Sequence, residues 1–284
     1  TLGLRGVSYE TAIRCSNKDQ TREALLNKAV SQPEFRVVSD IGQCEEACRA
    51  IGLPVVVKAP DSSGSRGVTK VAQFQDVQSA FEHAAENSRS GQIVVEQFIE
   101  GVEVGAQTFS FNGKCVAVHL HDDLVSDGQY MVPTGHSYPL ERAGLDLPKI
   151  ESQIAAAVEA LGIEWGPANV DVIIGNDGNA YVVEIGARIG ATCLPELTSY
   201  YLGQDWVECT IRCAVGDEIT LKVPERHPCA AEILTAPNDG TLIDVHIPDW
   251  ILDHPGLLEV EVTASAGESV SLLRKGTDRI GKVF

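Results

Sequence analysis

The stretch VDVIIGNDGNAYVVEI, residues 170–185, decides how this chain is interpreted. Two apolar runs flank Asp177-Gly178, the preferred pair for a two-residue type I′ turn, so the stretch predicts a β-hairpin. A two-residue turn at that point places Asp171 directly opposite Glu184. Two like charges facing each other at ~5 Å destabilise a hairpin unless a cation lies between them.

A hard divalent cation with oxygen ligands removes that conflict, and Mg²⁺ favours one or two carboxylates together with phosphates. The hairpin therefore predicts a Mg²⁺ site at Asp171 and Glu184, with Mn²⁺ as an alternative ion. Arg188 follows shortly after Glu184, where a guanidinium suits a carboxylate or a transferring phosphoryl group. Two alternatives stay open: a slipped register with one carboxylate in solvent, and a surface salt bridge for Arg188.

A second group of residues surrounds Lys58. This lysine ends the apolar strand pattern 55–58 and precedes a turn of Ser and Gly residues at 62–67, after which 68–72 returns as a strand. A fixed positive charge beside free backbone N–H groups suits phosphate oxygens. The loop is not a Walker P-loop, because no GxxxxGK[ST] opens a helix there. The alternative is an ordinary glycine-containing turn that binds nothing.

Helical and strand patterns alternate along the chain, which indicates a mixed α and β class. The predicted helices are 17–29, 44–51, 77–87, 149–161 and 205–215, and the predicted strands are 35–38, 55–58, 68–72, 93–98, 104–111, 115–121, 169–174 and 180–185. Residues 121–143 are polar and predict a long functional loop, in which His136 is either a substrate contact or a plain loop residue. Beyond about Pro224, prolines punctuate short strand patterns and predict a small β-rich part.

The composition excludes several classes of function. The formal charge is −18 at pH 7, whereas nucleic acids and anionic membranes select clustered Lys and Arg, so neither is an expected partner. No apolar run of about 18 residues and no basic segment followed by an apolar one occurs, so we expect neither a membrane span nor a signal peptide, and a cytoplasmic location. The 8 cysteines lack CxxC spacing and are expected to be reduced and buried.

Together these patterns resemble the ATP-grasp family, which includes biotin carboxylase, carbamoyl phosphate synthetase, D-alanine–D-alanine ligase and the L-amino-acid ligases. The resemblance runs from about residue 17 to residue 216. Asn17-Lys18 with Arg22 resembles the helix whose lysine contacts ATP phosphate, and Lys58 resembles the strand lysine on the α-phosphate and adenine side. The segment 62–67 resembles the mobile lid over the phosphates. The lid residues expected to contact nucleotide are Ser63, Gly64, Ser65, Arg66 and Gly67.

Residues 95–103 resemble the linker between the two subdomains of the family. There the residue at Glu96, with backbone groups nearby, reads adenine, and the residue at Glu103 binds ribose hydroxyls. The residues that the resemblance assigns to base and ribose are Glu96, Gln97, Phe98, Ile99 and Glu103. Asp171 and Glu184 fall on the family's metal-binding carboxylates, and Arg188 falls on the arginine that stabilises the developing phosphoryl charge.

The chain departs from the family at two places. The family usually has Asn two residues after the second carboxylate, whereas this chain has Gly186. A two-residue turn puts Asn169 opposite Gly186, so its amide is a candidate replacement ligand. The run Glu184 to Arg188 also resembles a variant found among amino-acid-ligase-like members. The family also has a domain before the Lys18 helix, and we expect residues 1–16 to be the end of such a domain.

The resemblance implies an α+β ATP-grasp fold, with two α+β subdomains clasping ATP and a small β-rich C-terminal subdomain. The expected division is 1–16 as the end of a preceding domain, 17–102 as the small subdomain with the lid, 103–223 as the metal-binding and catalytic subdomain, and 224–284 as the C-terminal subdomain. The expected activity is that of an ATP-dependent ligase that turns a carboxylate into an acyl phosphate, from which an amine displaces phosphate.

Two other interpretations stay open. A carboxylase-type member, as in the purine pathway, would activate bicarbonate instead, and product analysis with labelled bicarbonate against amino acids would separate the two. A non-catalytic ATP-binding module would bind nucleotide without turnover. The expected partners are a small-molecule carboxylate and an amine, neither of which the sequence names. The oligomeric state also stays open, with a homodimer as one option.

Overall fold

The computed structural model of the protein describes residues 3–26, 28, 30–64, 66–125, 132–221, 227–274 and 276–284. The helices are α1 Tyr9–Ser16, α2 Lys18–Leu25, α3 Ile41–Ile51, α4 Val77–Asn87, α5 Leu147–Leu161, α6 Leu194–Leu202, α7 Trp206–Val215 and α8 Asp249–Leu252, with a 3-10 turn at Phe74–Asp76. The strands are β1 Phe35–Val38, β2 Val55–Lys58, β3 Val68–Val71, β4 Ile93–Gln97, β5 Gly101–Phe111, β6 Lys114–Val125, β7 Pro133–Tyr138, β8 Gly166–Gly175, β9 Ala180–Gly186, β10 Cys229–Thr235, β11 Gly240–Thr241, β12 Val260–Val262, β13 Ser269–Val270 and β14 Arg279–Val283. Among the described helices, none is long and apolar enough to cross a membrane.

The chain divides into two compact units. Unit 1 consists of Thr1–His119, Gly144–Arg188 and Cys213–Asp217, and unit 2 consists of Leu120–Ala143, Ile189–Arg212 and Glu218–Phe284. The β-rich C-terminal residues therefore belong to the same unit as two earlier segments of the chain. The division into functional subdomains made from the sequence stays a prediction.

Unit 1 contains a four-stranded antiparallel sheet with strand order β1-β4-β2-β3. Helices α3 and α4 pack on it and bury an apolar core that includes Cys44, Val57 and Val95. The carboxylate of Asp40 accepts a hydrogen bond from the backbone N–H of Gln43 at 2.9 Å and so caps α3. Because of this cap, α3 begins at Ile41, three residues before the predicted start.

Unit 1 also contains the antiparallel strands β5, β8 and β9, with β8 between the other two. Helix α5 packs against β8 and β9 through the buried side chains Ile150, Ile154 and Val158. Its carboxyl end is closed by Gly162, which has a left-handed backbone with φ 82°. One face of this sheet therefore packs against α5 in the core, and the opposite face carries polar side chains.

Unit 2 is built on an antiparallel sheet in which the second half of β6 pairs with β7, β7 with β10, β10 with β14, and β14 with β12. Helix α6 packs against β7 and β10. Within this unit the rings of Tyr138 and Tyr201 stack with centroids 4.6 Å apart. The hydroxyl of Tyr138 also lies 3.0 Å from that of Thr198. The structure is thus of the α+β class, as predicted.

Several local predictions are wrong. Residues 121–143 are not one long loop, because β6 runs to Val125 and β7 occupies Pro133–Tyr138, while 126–131 lie outside the described residues. Asp123 lies directly opposite His136, whose Nδ1 is 2.6 Å from its Oδ1, so a polar sequence forms a strand pair here. Helix α2 ends at Leu25 rather than 29, and helices α1 and α6 were not predicted.

Candidate active site

The β8–β9 hairpin carries the two carboxylates at the positions that the sequence predicts. Asp171 lies directly opposite Glu184, and Asn169 lies directly opposite Gly186. Directly opposed residues of antiparallel strands point to the same face of the sheet. The predicted juxtaposition of Asp171 and Glu184 is therefore confirmed, whereas their role in binding metal stays a prediction.

The turn that was used to predict this register is wrong. The N–H of Gly175 donates to the carbonyl of Asn179 at 2.9 Å, so the loop has three residues, and Gly178 takes a positive φ of 73°. This longer loop would shift every pair by one residue, but the register shifts back between Asp171 and Val172. Val183 is the extra residue of that β-bulge. The two departures cancel, and the carboxylates meet.

The sheet face that carries the carboxylates is polar over three strands. On β5, Gln107 lies opposite Asn169, and Glu103 lies two residues along from the position opposite Asp171. The side-chain amide of Gln107 donates to Oδ1 of Asn169 at 2.6 Å, and the amide of Asn169 donates to Oδ1 of Asp171 at 3.0 Å. In this arrangement Asn169 orients Asp171. The role of Asn169 as a metal ligand stays a prediction. To bind a metal, its side-chain amide would have to flip so that the oxygen faces the ion.

Lys18 reaches the same place from the first residue of α2. Its Nζ lies 3.4 Å from Oε2 of Glu184 and donates to the carbonyl of Ser62 at 2.7 Å. The side chain of Lys18 is 11% exposed and that of Glu184 is 40% exposed. A cation thus accompanies the opposed carboxylates, as their mutual repulsion requires. The same lysine connects the hairpin to the beginning of the lid segment.

A buried ion cluster, formed by Arg22, Glu96 and Lys58, lies within the same unit. Nε and Nη2 of Arg22 donate to the two oxygens of Glu96 at 2.7 and 3.0 Å, and Nζ of Lys58 lies 2.7 Å from Oε2 of Glu96. The exposed fractions are 1%, 4% and 4% for Arg22, Glu96 and Lys58. The cluster contains two cations and one anion, so it carries an excess positive charge at a buried position. Such a charge favours an anionic ligand.

The electrostatics of the cluster follow from burial and from the three charges. Burial lowers the pKa of Lys58 to about 8, although the charge of Glu96 opposes this effect. For Glu96, burial raises the pKa, but the charges of Lys58 and Arg22 outweigh it and hold the pKa at about 2. Glu96 is therefore an anion at neutral pH, and Lys58 is largely protonated and sensitive to mildly alkaline pH.

Arg22 also connects this cluster to the β8–β9 hairpin. Its Nη1 donates to the carbonyl of Val182 at 2.6 Å, and its Nη2 lies 3.4 Å from the carbonyl of Val183. These are carbonyls at the β-bulge, just before Glu184. The sequence interpretation assigned Arg22 no role beyond its motif. Its position in a helix rich in charged residues gave no sign that it would be almost fully buried.

In the linker that is predicted to bind adenine, the carboxylate of Glu96 is already paired with two cationic side chains. Because Glu96 accepts from Arg22 and Lys58, contact with the base would fall to backbone groups nearby. The N–H groups of Gln97 and Phe98 donate to the carbonyls of Glu34 and Pro54. Among the described residues, no hydrogen bond involves the main chain of Ile99, so this residue is the strongest remaining candidate. The ring of Phe98 lies 3.5 Å below Nζ of Lys70.

The lid segment between β2 and β3 is anchored at its base and exposed at its tip. The carboxylate of Asp61 accepts from the N–H groups of Arg89 and Ser90 at 3.0 and 2.8 Å. A Cβ on Gly67, whose φ is 66°, would lie 2.7 Å from Cβ of Asn87, so only glycine fits there. By contrast Ser63, Gly64 and Arg66 are exposed, and Ser65 lies outside the described residues.

Two further residues were predicted from the sequence to belong to the site, one in each unit. Arg188 is exposed just after β9, and its N–H donates to the carbonyl of Gly186 at 2.7 Å. His136 belongs to unit 2, where it lies on β7 and its Nδ1 is 2.6 Å from Oδ1 of Asp123. It is a buried strand residue and not a loop residue. Sequence reasoning missed Asp123 because the surrounding stretch was taken for a loop.

Comparison with known proteins identifies the family. A family model described as ATP-grasp domain matches residues 15–192. The chain belongs to the ATP-grasp family. A second model, L-amino acid ligase C-terminal domain 2, matches residues 232–284.

Individual relatives are distant. The chain is 25% identical over 295 residues to the uncharacterized protein y4rH of Sinorhizobium fredii, covering 99% of this chain and 59% of that protein. It is 27% identical over 188 residues to D-alanine–D-alanine ligase B of Pseudomonas putida, covering 62% of this chain and 55% of that enzyme. The crystal structure of L-amino acid ligase from Bacillus licheniformis superimposes with a TM-score of 0.80 at 22% identity, covering 98% of this chain and 68% of the other. The ATP-grasp fold is therefore confirmed, and the chain spans just over half the length of these two curated relatives.

Proposed function

We propose that this chain catalyses the ATP-dependent joining of a carboxylate to an amine through an acyl phosphate. The observation that carries the proposal is the meeting of Asp171 and Glu184 on one sheet face with Nζ of Lys18 3.4 Å from Glu184. Opposed carboxylates beside a lysine form a place where a divalent cation and phosphate oxygens can replace the internal ion pair. ATP-grasp proteins are ligases and carboxylases, so the chain's family supports an enzyme.

The donor set fits Mg²⁺ with nucleotide. Asp171 is oriented by the amide of Asn169, and Glu184 is partly exposed, so both can offer oxygen to a hard cation. Mn²⁺ has the same preference for oxygen ligands. When bound by Asp171 and Glu184, the ion would neutralise charge on the phosphates of ATP.

The cationic side chains would bind and orient the phosphates. Lys18 and Lys58 approach from two different elements, and the excess positive charge of the Arg22–Glu96–Lys58 cluster favours an anion nearby. The tip of the lid would close over the nucleotide and exclude water from the acyl phosphate. Glu103 is proposed to bind ribose and Arg188 to stabilise the transferring phosphoryl group, as the family resemblance implies. His136, which lies in the polar stretch 121–143, is also proposed as a substrate contact.

The reaction consists of two balanced steps. A carboxylate oxygen attacks the γ-phosphorus of ATP, the bond from that phosphorus to the β-γ bridging oxygen breaks, and ADP leaves. The amine nitrogen of the second substrate then attacks the acyl carbon, the bond to the phosphate oxygen breaks, and phosphate leaves while the nitrogen loses a proton. Two anions, carboxylate and triphosphate, must meet in the first step, which explains the need for several cations at one site.

An amino acid is the favoured acid substrate. The match of residues 232–284 to an L-amino acid ligase C-terminal domain supports this class over bicarbonate. A carboxylase of the family would instead incorporate bicarbonate. Among the solved structures with this fold, one is a biotin carboxylase domain of Hydrogenobacter thermophilus described in complex with MgADP and bicarbonate, at 18% identity. That likeness concerns the fold alone.

The test is product analysis with Mg-ATP and a library of amino acids, alone and in pairs, with labelled bicarbonate in a parallel arm. We expect ADP, phosphate and ligated product in equal amounts, only when acid and amine are both present. Hydroxylamine should trap the acyl phosphate as a hydroxamate. The variant Asp171→Asn should lose turnover, and Glu86→Gln, an exposed residue of α4, should keep it. Label from bicarbonate in the product would establish the carboxylase, and nucleotide binding without turnover of any pair would contradict the ligase.

A further inference from the structure

The β6–β7 hairpin of unit 2 brings together two histidines and an aspartate. Asp123 on β6 lies directly opposite His136 on β7. His121 precedes Asp123 by two residues, so its side chain lies on the same face of the strand. The sequence pattern His-x-Asp on one strand and His on the next therefore places three potential metal ligands on one face of one hairpin.

The three side chains converge on one oxygen atom. Nδ1 of His136 lies 2.6 Å and Nδ1 of His121 lies 3.0 Å from Oδ1 of Asp123. The two imidazole rings are nearly perpendicular, at 86°, with centroids 5.3 Å apart. The close approach of His121 does not have the alignment of a hydrogen bond. Two nitrogens and one carboxylate oxygen therefore lie close enough together to bind one ion.

The cluster is deeply buried and incompletely satisfied. His121 is 1% exposed and His136 is 5% exposed. Among the described residues, Nδ1 and Nε2 of His121 and Nε2 of His136 have no hydrogen-bond partner. Buried polar nitrogens without partners are rare in folded proteins. One metal ion would take one nitrogen from each ring and so account for part of this deficit.

We propose that His121, Asp123 and His136 bind a divalent transition metal of the Zn²⁺ class. Zinc is held tetrahedrally by imidazole nitrogen and carboxylate oxygen at about 2.0–2.2 Å, which separates neighbouring ligand atoms by about 3.3 Å. The observed separations of 2.6 and 3.0 Å from Oδ1 need only a small opening to reach this geometry. Three protein ligands leave a fourth position open for water or for a carboxylate.

This site differs chemically from the one proposed at Asp171 and Glu184. Imidazole nitrogen favours zinc and related ions, whereas sites made only of carboxylate and amide oxygen favour Mg²⁺ and Mn²⁺. The side chain of Tyr138, which continues the same face of β7, forms one wall of the cluster, with its ring centroid 5.4 Å from that of His121. The zinc proposal does not depend on the ligase proposal, because no nucleotide takes part in it.

The experiment is zinc titration of the complete, chelator-treated protein by calorimetry, with the bound metal counted by mass spectrometry. We expect one equivalent in the wild type and in two controls: His246→Gln, which changes an exposed histidine, and Asp171→Asn, which changes the other proposed metal site. Asp123→Asn and His136→Gln should weaken zinc binding by at least about 100-fold. The proposal would be overturned if these two variants bind as much zinc, as tightly, as the wild type.

A second variant keeps the test decisive if those substitutions disturb folding. His121→Cys retains a zinc ligand while changing its chemistry. In the Co²⁺-substituted protein this variant should add a thiolate-to-metal charge-transfer band that is absent from the Co²⁺-substituted wild type. The difference between the two spectra removes any contribution of the 8 native cysteines. A folded His121→Cys protein that binds Co²⁺ without the new band would show a hydrogen-bonded His–Asp–His cluster only, and the proposal would fail.

Discussion

In the buried cluster of Arg22, Glu96 and Lys58 each charge faces one of opposite sign, whereas in the β8–β9 hairpin two carboxylates face each other. The cluster residues are at most 4% exposed, while the side chain of Glu184 is 40% exposed. The cluster can therefore contribute to the folded state without a ligand. The hairpin holds like charges near solvent, an arrangement that a bound cation improves. The contrast distinguishes a cluster that can stabilise the fold by itself from a hairpin that is proposed to bind a cation.

The largest expected effect is the loss of the anion from the cluster. Glu96→Gln leaves two buried cations without their counter-charge, and breaking a buried ion pair in this way costs about 3–5 kcal/mol in the free energy of unfolding. Urea denaturation without nucleotide would measure it. The matched control is Glu34→Gln, since Glu34 forms an ion pair with Arg36 at 3.1 Å but both side chains are about half exposed. The control should change stability by less than about 1 kcal/mol. Similar losses of stability in both variants would show that the buried cluster stabilises the fold no more than an exposed ion pair does.

The same cluster predicts how stability depends on acid. The pKa of Glu96 is about 2 in the folded protein against 4.5 for the unperturbed group. A carboxyl with a depressed folded pKa contributes stability that is present above pH 4.5 and is lost as the pH falls towards about 2. At about 1.36 kcal/mol per pH unit, the contribution is about 3 kcal/mol. Denaturant midpoints measured across this range should fall less steeply in Glu96→Gln than in Glu34→Gln. Parallel curves would contradict the buried, ionised state of Glu96.

In the β8–β9 hairpin, removal of one carboxylate should not lower the stability of the ligand-free protein. Asp171→Asn relieves repulsion with Glu184 and keeps an oxygen that can accept from the amide of Asn169. We expect unchanged or higher stability in chelator, together with loss of turnover. Mg-ATP at 100 times its Kd should stabilise the wild type by about 2.7 kcal/mol, and most of this shift should vanish in the variant. A variant that melts lower in chelator and keeps the full shift would show that Asp171 is structural.

Lys58 connects the two regions, because it belongs to the cluster and is proposed to bind phosphate. Its pKa of about 8 means that the ammonium loses its proton as the pH rises through that value. Affinity for a nucleotide analogue should then fall by up to about tenfold per pH unit above about 8, since only the protonated form attracts phosphate. Lys58→Arg should abolish this dependence, because a guanidinium does not titrate in that range. Fluorescence titrations of both proteins between neutral and alkaline pH would decide.

The sequence was informative where side-chain spacing alone carries the signal. The local pattern of apolar residues predicted β1, β2 and α4 to the residue, and the opposed pair Asp171 and Glu184 was found although the turn was wrong. The sequence was uninformative where a residue is held by hydrogen bonds or ion pairs to residues far away along the chain. The burial of Arg22 depends on Glu96 and on carbonyls of β9, and the strand β7 depends on the partners that His136 and Tyr138 find elsewhere. No local pattern contains those partners.

The smallest expected effect concerns the lid, which contains both kinds of environment within one short segment. At its base, the N–H groups of Arg89 and Ser90 donate to Asp61, which is 9% exposed. At its tip, Ser63, Gly64 and Arg66 are exposed, and the described contacts there are mostly within the segment, such as the bond from the hydroxyl of Ser62 to the carbonyl of Arg66 at 2.6 Å. Ordering the tip costs conformational entropy that only phosphate contacts can offset.

Hydrogen exchange should therefore slow at the tip when Mg-ATP is added, while Arg89 and Ser90 stay equally protected with and without it. Lys18→Gln should reduce the change at the tip, because Lys18 donates to Ser62, whereas Lys149→Gln, in the first turn of α5, should not. Equal protection of the tip in both states would leave the segment as an ordinary turn, and the comparison between a fold-supporting and a ligand-dependent region would not extend to it.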